Sequence, residues 1–599
     1  MRNEIKILNT LQQYILELPN KKKGPFLSVL NKKGELKSFN ANQYFAQIQK
    51  LAKALTEAGI RKGDKVAILS NTRHEWSVCD LAIIAIGGIV VPLYPNTTTE
   101  ELAYIINHSE TKLIFLENKA GLRQQLLVKD QCKKLEHIVV FDPPAQPEPG
   151  IWLSFNEFIA GSAQDGNHYS FNFEHFCHQA KPEDQVTIIY TSGTTGIPKG
   201  VVLSHRQIIE EITEAFAALQ MTPDDHTLTF LPYSHVLGRT EHWGNLIVGY
   251  QMTYSSGNER LAEEMSIVEP TIIIAVPRIF EKIYTSLKAK IETSIIDNNL
   301  FEWAFKIGNQ VSQIQQTRGQ FSFRIKSEHL IAQKLIFDRL KSELFGKKLK
   351  FAISGGAPLS AEIIRFFHCC GILILEGYGL TETTGAISVN RPYDFEFGSV
   401  GKPLYKTKIK IASDGEILIQ GPTILSEYYK DVEFTETQIE NNWLHTGDIG
   451  EISPSGNLII KDRKKDLIKT ANGKYVAPQK IESLFKQLPY ISHAHIHGDH
   501  KSYIVALLTL NKNVIFNKAR EQNIPFKSME DLKENPFIKD LIRSGVAQIN
   551  LSLASHEAIK NFAVLTDDFS IESGEITPTL KVKRKVIDQK YKSIIDSLY

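Results

Sequence analysis

Ten consecutive residues, Thr191-Ser192-Gly193-Thr194-Thr195-Gly196-Ile197-Pro198-Lys199-Gly200, follow directly on the β-like run Thr187-Ile188-Ile189-Tyr190. Glycines let the chain turn successive backbone N–H groups toward one centre. The hydroxyls of Thr191, Ser192, Thr194 and Thr195 add donors, and Lys199 adds charge, which together make a cradle for a polyphosphate. The Walker spacing GxxxxGK[ST] does not occur here and the hydroxyls precede the lysine, which excludes the P-loop of kinases and ATPases. A solvated turn is the plain alternative for any Gly/Thr-rich stretch. This order of residues, placed after a strand, points to phosphate.

Three further blocks carry polar residues among glycines: Ser354-Gly355-Gly356-Ala357-Pro358-Leu359, Glu376-Gly377-Tyr378-Gly379-Leu380-Thr381-Glu382-Thr383 and Thr446-Gly447-Asp448. Singly each is weak, because an Asp after Gly is an ordinary turn residue and Glu382 could cap a helix. Together, and in this order, they resemble the adenylate-forming superfamily of acyl-CoA synthetases, luciferases and peptide-synthetase adenylation domains, over a span from about Tyr44 to the last residue. The resemblance implies an adenine site at Gly355, Gly356 and Ala357, with Glu376, Gly377 and Gly379 beside it. It also implies Tyr378 stacked on the base, Thr381 on the α-phosphate, and Asp448 and Arg463 on ribose and phosphate. Mg²⁺ is implied on Glu382, with the Thr191 hydroxyl as a further hard oxygen ligand.

Such enzymes first let an acyl carboxylate attack the α-phosphorus of ATP, releasing pyrophosphate; the coenzyme A thiolate then attacks the acyl carbonyl and AMP leaves. The first step concentrates negative charge, so positioning and electrostatics must supply most of the catalysis. Thr577-Pro578-Thr579-Leu580-Lys581-Val582-Lys583-Arg584-Lys585 resembles the family's carboxy-terminal motif, which implies Lys581 as the lysine that bridges carboxylate and α-phosphate. Charge alone does not separate Lys581 from Lys583 and Lys585. The second step implies rotation of a small domain about Lys465, bringing Lys469 and Gly473 toward coenzyme A. Asn472-Gly473 is equally a favoured hairpin turn, and the two roles are compatible.

The acid is set by local sequence. Phe230 to Arg239, Val276 to Tyr284 and Glu572 to Thr579 resemble the long-chain fatty acyl-CoA synthetase branch, which implies an apolar tunnel and a fatty acid as substrate. His235 is expected between acid and nucleotide, Trp243 in the core, and the family's gating aromatic is replaced by Gly238-Arg239. A medium-chain or aryl acid ligase, or a fatty acyl-AMP ligase that loads a carrier protein, is the competing assignment.

The elements that must position these residues read as α/β. Asn40 is expected to cap a helix ending at Gly59 before the strand Val66 to Leu69. The same alternation recurs with 100–107 before 113–116, and with 261–269 before 272–275. One helical excursion is expected from Ile283 to Phe345, followed by a strand at 349–353. The predicted fold is a large multi-layered domain with mainly parallel sheets over residues 1–464, then a small mobile α+β domain over 465–599 with a helix near Pro478 and a strand at 504–510. The charged run Lys461 to Asp466 marks the hinge.

With 599 residues there is room for several cores. A net charge of +2 argues against nucleic acid as a partner. Five cysteines without metal or CxxC spacing indicate a reducing compartment. The first residues lack the apolar core of a secretion signal, and Leu81 to Leu93 is too short to cross a bilayer. A cytoplasmic protein is therefore expected, with any membrane contact peripheral, through basic runs such as Lys21-Lys22-Lys23 or Lys581 to Lys585.

Overall fold

The computed structural model describes residues 7–21, 23–145, 150–161, 171–191, 197–292, 298–317, 319–471, 473–570, 573–576 and 582–599. Two large sheets form its body. A seven-stranded sheet carries Lys65–Leu69, Ile89–Leu93, Thr111–Asn118 and Gln185–Thr191, and its pairings are parallel until the last, where Gln185–Thr191 meets Lys199–Ser204 in an antiparallel hairpin. A nine-stranded sheet runs parallel through His226–Thr229, Ile272–Ala275, Phe351–Ser354 and Ile374–Leu380, then also turns antiparallel into Gly385–Val389. In both sheets the change from parallel to antiparallel pairing falls on a predicted nucleotide segment.

Between the sheets lies one apolar core. Two of its helices are buried on nearly every side, their polar side chains included. His74–Ala85 exposes only Glu75 to any extent, and Val236–Val248 only Leu237. The predicted cap is present: Asn40 accepts from the Gln43 N–H while Gln43 reaches back, starting the helix Ala41–Glu57. The helical excursion is a series, Pro277–Glu292, Asn298–Gln316, Phe323–Ala332 and Asp338–Phe345, with one wide turn at Gln333–Phe337. It covers the outer face of the nine-stranded sheet.

Residues from Ile468 onward form their own apolar clusters around a three-stranded sheet containing Ile491–His497, Ile504–Leu510 and Ile559–Leu565. Pro478 opens a helix at its first position, where its missing N–H costs nothing. In the charged run 461–466 the strand Leu458–Arg463 ends with Arg463 opposite Asp448, and a turn follows at 464–466. Its charges are paired: Lys461 with Glu451, and Lys464 with Asp414 at 2.6 Å. Across the junction, Gln479 N–H donates to Asp462 at 3.1 Å, and the Gln487 amide donates to Ser360 Oγ at 2.8 Å.

All five cysteines are free and buried. Of the basic runs, Lys21 Nζ donates to the Ile247 carbonyl at 3.1 Å, and Arg584 is paired with Glu482 at 2.6 Å. Both are thereby tied to the protein.

Candidate active site

The phosphate hairpin is anchored by Thr191 opposite Lys199. Ser192, Gly193, Thr194, Thr195 and Gly196 lie outside the described residues. Lys199 Nζ sits 2.6 Å from Asp431 Oδ2 and 3.4 Å above the centre of the Phe434 ring. Its hydrogen bond holds the Asp431 carboxyl below the usual range. Neither partner is evident from the sequence, because both come from the separate segment Tyr428–Phe434, which has no phosphate-like composition. Tyr428 belongs with them: its hydroxyl donates to Glu382 Oε1 at 3.0 Å, and burial followed by the nearby Glu382 charge raises its pKa.

Glu382 sits in the short turn Thr381–Thr383 between Ile374–Leu380 and Gly385–Val389. The hairpin is irregular between Tyr378 and Gly379, and a Cβ on Gly379 would lie 1.8 Å from the Gly385 carbonyl oxygen, so only glycine fits there. The irregularity leaves Tyr378 facing Asp448. The Tyr378 hydroxyl donates to Asp448 Oδ2 at 2.5 Å, and Arg463 Nε is 2.9 Å from Oδ1. Burial lowers the Arg463 pKa, but the charges of Asp448 and Glu382 outweigh it and raise it overall. Four residues expected from three distant blocks thus share one neighbourhood. Lys465 follows, half-buried, its pKa lowered by desolvation and by Arg463.

Gly355 and Gly356 form the turn after Phe351–Ser354, with Gly356 at φ +82°, and Ala357 is exposed beside them. Glu376 points back at this turn, accepting the Leu359 N–H at 3.2 Å, and burial pushes its carboxyl up to about 8. It braces the loop from behind. His235 caps the helix Val236–Val248, its Nδ1 accepting the Leu237 N–H at 3.1 Å, which places the proton of the neutral ring on Nε2.

His235, Leu237, Gly355, Gly377 and Tyr378 border a small cleft of about 70 Å³ whose other walls include Ala215, Phe216, Leu219, Ile274, Ile353 and Val389. An apolar chain entering it would have its head at the nucleotide residues. Trp243 is fully buried in the core, as expected. Arg239 does not stand in for a gate. It is fully buried, its guanidinium paired with Asp80 and donating to Thr187 Oγ1 at 2.7 Å, with the Trp243 ring 4.5 Å away.

Lys469 and Gly473 lie on a small hairpin, Ile468–Lys469 against Tyr475–Val476, with Gly473 at φ +72° and its N–H donating to the Thr470 carbonyl at 2.8 Å. The turn reading therefore holds for Gly473. Lys581 lies outside the described residues. The helix that follows it, Arg584–Lys590, is fixed to Ile491–His497 by Asp588, whose Oδ1 is 2.8 Å from both His495 Nε2 and His497 Nδ1.

Known proteins resemble this chain over most of its length. The AMP-binding enzyme family model matches residues 22–429, and the AMP-binding enzyme C-terminal domain model matches residues 465–599. Over 556 residues the chain is 32% identical to long-chain-fatty-acid–CoA ligase FadD15 of Mycobacterium tuberculosis, covering 92% of this chain and 91% of that protein. It is 29% identical to the peroxisomal long chain acyl-CoA synthetase 7 of Arabidopsis thaliana, covering 94% and 82%. Among solved structures, the adenylation domain of a carboxylate reductase from Mycobacterium chelonae aligns with a TM-score of 0.76 at 22% identity, covering 100% of this chain and 92% of that one. An anthranilate CoA ligase with bound anthranoyl-AMP aligns with a TM-score of 0.70 at 18% identity, covering 98% of each. The chain belongs to the AMP-binding enzyme family and has the fold of adenylate-forming enzymes, with long-chain-fatty-acid–CoA ligases as relatives over nine-tenths of its length.

Proposed function

We propose that this protein is an ATP-dependent long-chain fatty acid:CoA ligase. The acid's carboxylate attacks the α-phosphorus of ATP and displaces pyrophosphate; the coenzyme A thiolate then attacks the acyl carbonyl and displaces AMP. The observation that carries this reading is the apolar cleft opening beside His235, Gly377 and Tyr378, which would deliver a carboxylate head to the nucleotide residues while burying its chain. Burial contributes about 0.8 kcal/mol per methylene, so such a cleft favours long acids.

His235 Nε2–H would orient the carboxylate. Gly355, Gly356, Ala357, Gly377 and Tyr378 would hold adenine, Asp448 and Arg463 the ribose, and Lys199 with the 191–196 loop the phosphates. Glu382 and the Thr191 hydroxyl suit Mg²⁺ because both offer hard oxygen, and the ion would supply countercharge to the phosphates. Residues 465–599 would form the mobile domain, turning about Lys465, with Lys581 serving the first step and Lys469 and Gly473 the second. The separate apolar clusters from Ile468 onward support that division. We place the enzyme in the cytoplasm, touching membranes only at their surface; among the described residues no helix is long and apolar enough to cross one.

The test is a panel of acids of increasing length with separate detection of pyrophosphate and thioester. Long acids are expected to give both. Pyrophosphate without thioester would overturn the assignment in favour of an acyl-AMP ligase, and a preference for short or aromatic acids would overturn the long-chain assignment.

A further inference from the structure

Among the described residues one group of three His, Cys, Asp or Glu side chains gathers its ligand atoms as a metal ion requires, and it lies in the carboxy-terminal region. His495 and His497 stand two apart on the strand Ile491–His497, so both rings leave the same face of the sheet. Asp588, on the helix Arg584–Lys590, meets them there. Its Oδ1 is 2.8 Å from His495 Nε2 and 2.8 Å from His497 Nδ1, and the three atoms lie within 4.8 Å of one another. His495 is buried and its Nδ1 has no partner among the described residues, which makes this cluster the ring's polar anchor.

Neighbouring fixed cations are committed elsewhere, Arg584 to Glu482 at 2.6 Å and Lys590 to Glu575 at 2.8 Å. Among the described residues the Asp588 carboxylate pairs with the two imidazoles alone. A divalent ion would take the place of the two ring N–H protons, and the carboxylate would offset one of its charges. Two imidazole nitrogens with one carboxylate suit Zn²⁺ and its transition-metal neighbours, whereas Mg²⁺ and Ca²⁺ take oxygen. Coordination at about 2.0–2.1 Å sets tetrahedral ligands roughly 3.3 Å apart, between the present 2.8 Å contacts and the 4.8 Å limit. Small side-chain rotations reach that spacing. His497 and Asp588 are partly exposed, which leaves an entry path and room for a water ligand.

We propose that His495, His497 and Asp588 form a Zn²⁺ site. With two ligands on a strand and the third on a helix, the ion would pin Arg584–Lys590 to the three-stranded sheet, and that helix begins three residues after Lys581. The site stands independently of the ligase reading.

The experiment titrates the full-length protein, free of any histidine tag, with Co²⁺ as a coloured substitute for Zn²⁺, in excess Mg²⁺ to occupy oxygen sites. One equivalent is expected to bind with the visible absorption of four- or five-coordinate Co²⁺, and added Zn²⁺ is expected to abolish that absorption. Asp588→Asn keeps an oxygen that accepts from both rings while removing the charge, so the fold is retained. It is expected to weaken binding by about tenfold or more, since even a group supporting a ligand is worth that much. His497→Gln, at a partly exposed position, should do the same. His493→Gln alters the preceding histidine on the same face, which is 2.7 Å from Asp568, and should leave affinity and spectrum unchanged. Denaturant midpoints taken without metal establish that each variant is folded. No such absorption in the unaltered protein would overturn the proposal, as would equal weakening by His493→Gln, or full affinity in Asp588→Asn and His497→Gln.

Discussion

Tyr378 Oη and Asp448 Oδ2 are 2.5 Å apart, and Arg463 occupies the other oxygen of the same carboxylate, so the residue proposed to hold ribose is already engaged on both sides by the protein. Each oxygen keeps further lone-pair capacity, but the Tyr378 hydroxyl competes for one of them. Asp448→Ala is therefore expected to raise the KM for ATP by about tenfold or more, because hydrogen bonds to a charged group are worth roughly 1.5–3 kcal/mol. Tyr378→Phe keeps the ring and removes the competitor, so the KM should stay level or fall. Pyrophosphate release measured against ATP concentration checks both, and a large rise for Tyr378→Phe would contradict the competition.

Lys199 makes a comparable choice. Its ammonium is paired with Asp431 and lies over Phe434, and a polyphosphate would have to draw it away. Lys199→Ala is expected to lower kcat/KM for ATP by about a hundredfold, the scale of losing one preorganised charge contact. Asp431→Asn weakens the competing pair and should leave ATP binding intact or tighter. Equal losses in the two variants would mean that the pair itself, and not the free lysine, serves the reaction.

For the carboxy-terminal region, Lys581→Ala is expected to depress adenylate formation by about a hundredfold or more while sparing thioester formation from preformed acyl-AMP. Lys469→Ala should show the opposite emphasis. The two half-reactions are measured separately, with pyrophosphate exchange for the first and thioester release from synthetic acyl-AMP for the second. Equal damage to both by Lys581→Ala would refute the division of labour.

Burial raises Glu376 and Glu211 from 4.5 to about 8. Between those values the folded protein keeps two protons that the unfolded chain has lost. The stability they confer is full below about pH 4.5 and is lost as pH rises toward 8, at about 1.4 kcal/mol per pH unit for each group. Denaturant midpoints should accordingly fall from about pH 6 to about pH 8, and Glu376→Gln should flatten the slope. A midpoint that climbs over this range would show that neither carboxyl keeps its proton.

Much of this architecture is legible in one sequence because it follows local rules. Asn40 with Gln43, the apolar strands at 65–69 and 272–275, and Pro478 at a helix start are each decided by neighbours along the chain. The site was readable where several blocks agreed, as for Tyr378, Glu382, Asp448 and Arg463. Asp431, Phe434 and Tyr428 were not, because their significance lies only in which side chains they face across a long separation in sequence. Arg239 shows the same limit: beside Gly238 it suggests an altered gate, yet a partner on another helix, Asp80, takes it into the core. The charged run 461–466 is divided by contacts the sequence does not show: its first half is the end of the strand Leu458–Arg463, held by cross-strand partners, and its second half is a turn.

The Arg239 pair also bears on redesign. One guanidinium joins the helix that begins at the acyl cleft to Asp80 and to Thr187, four residues before the root of the phosphate hairpin. Attempts to reshape substrate preference by shifting that helix would be transmitted to ATP handling, and selection for new acids there would keep returning variants with damaged nucleotide kinetics.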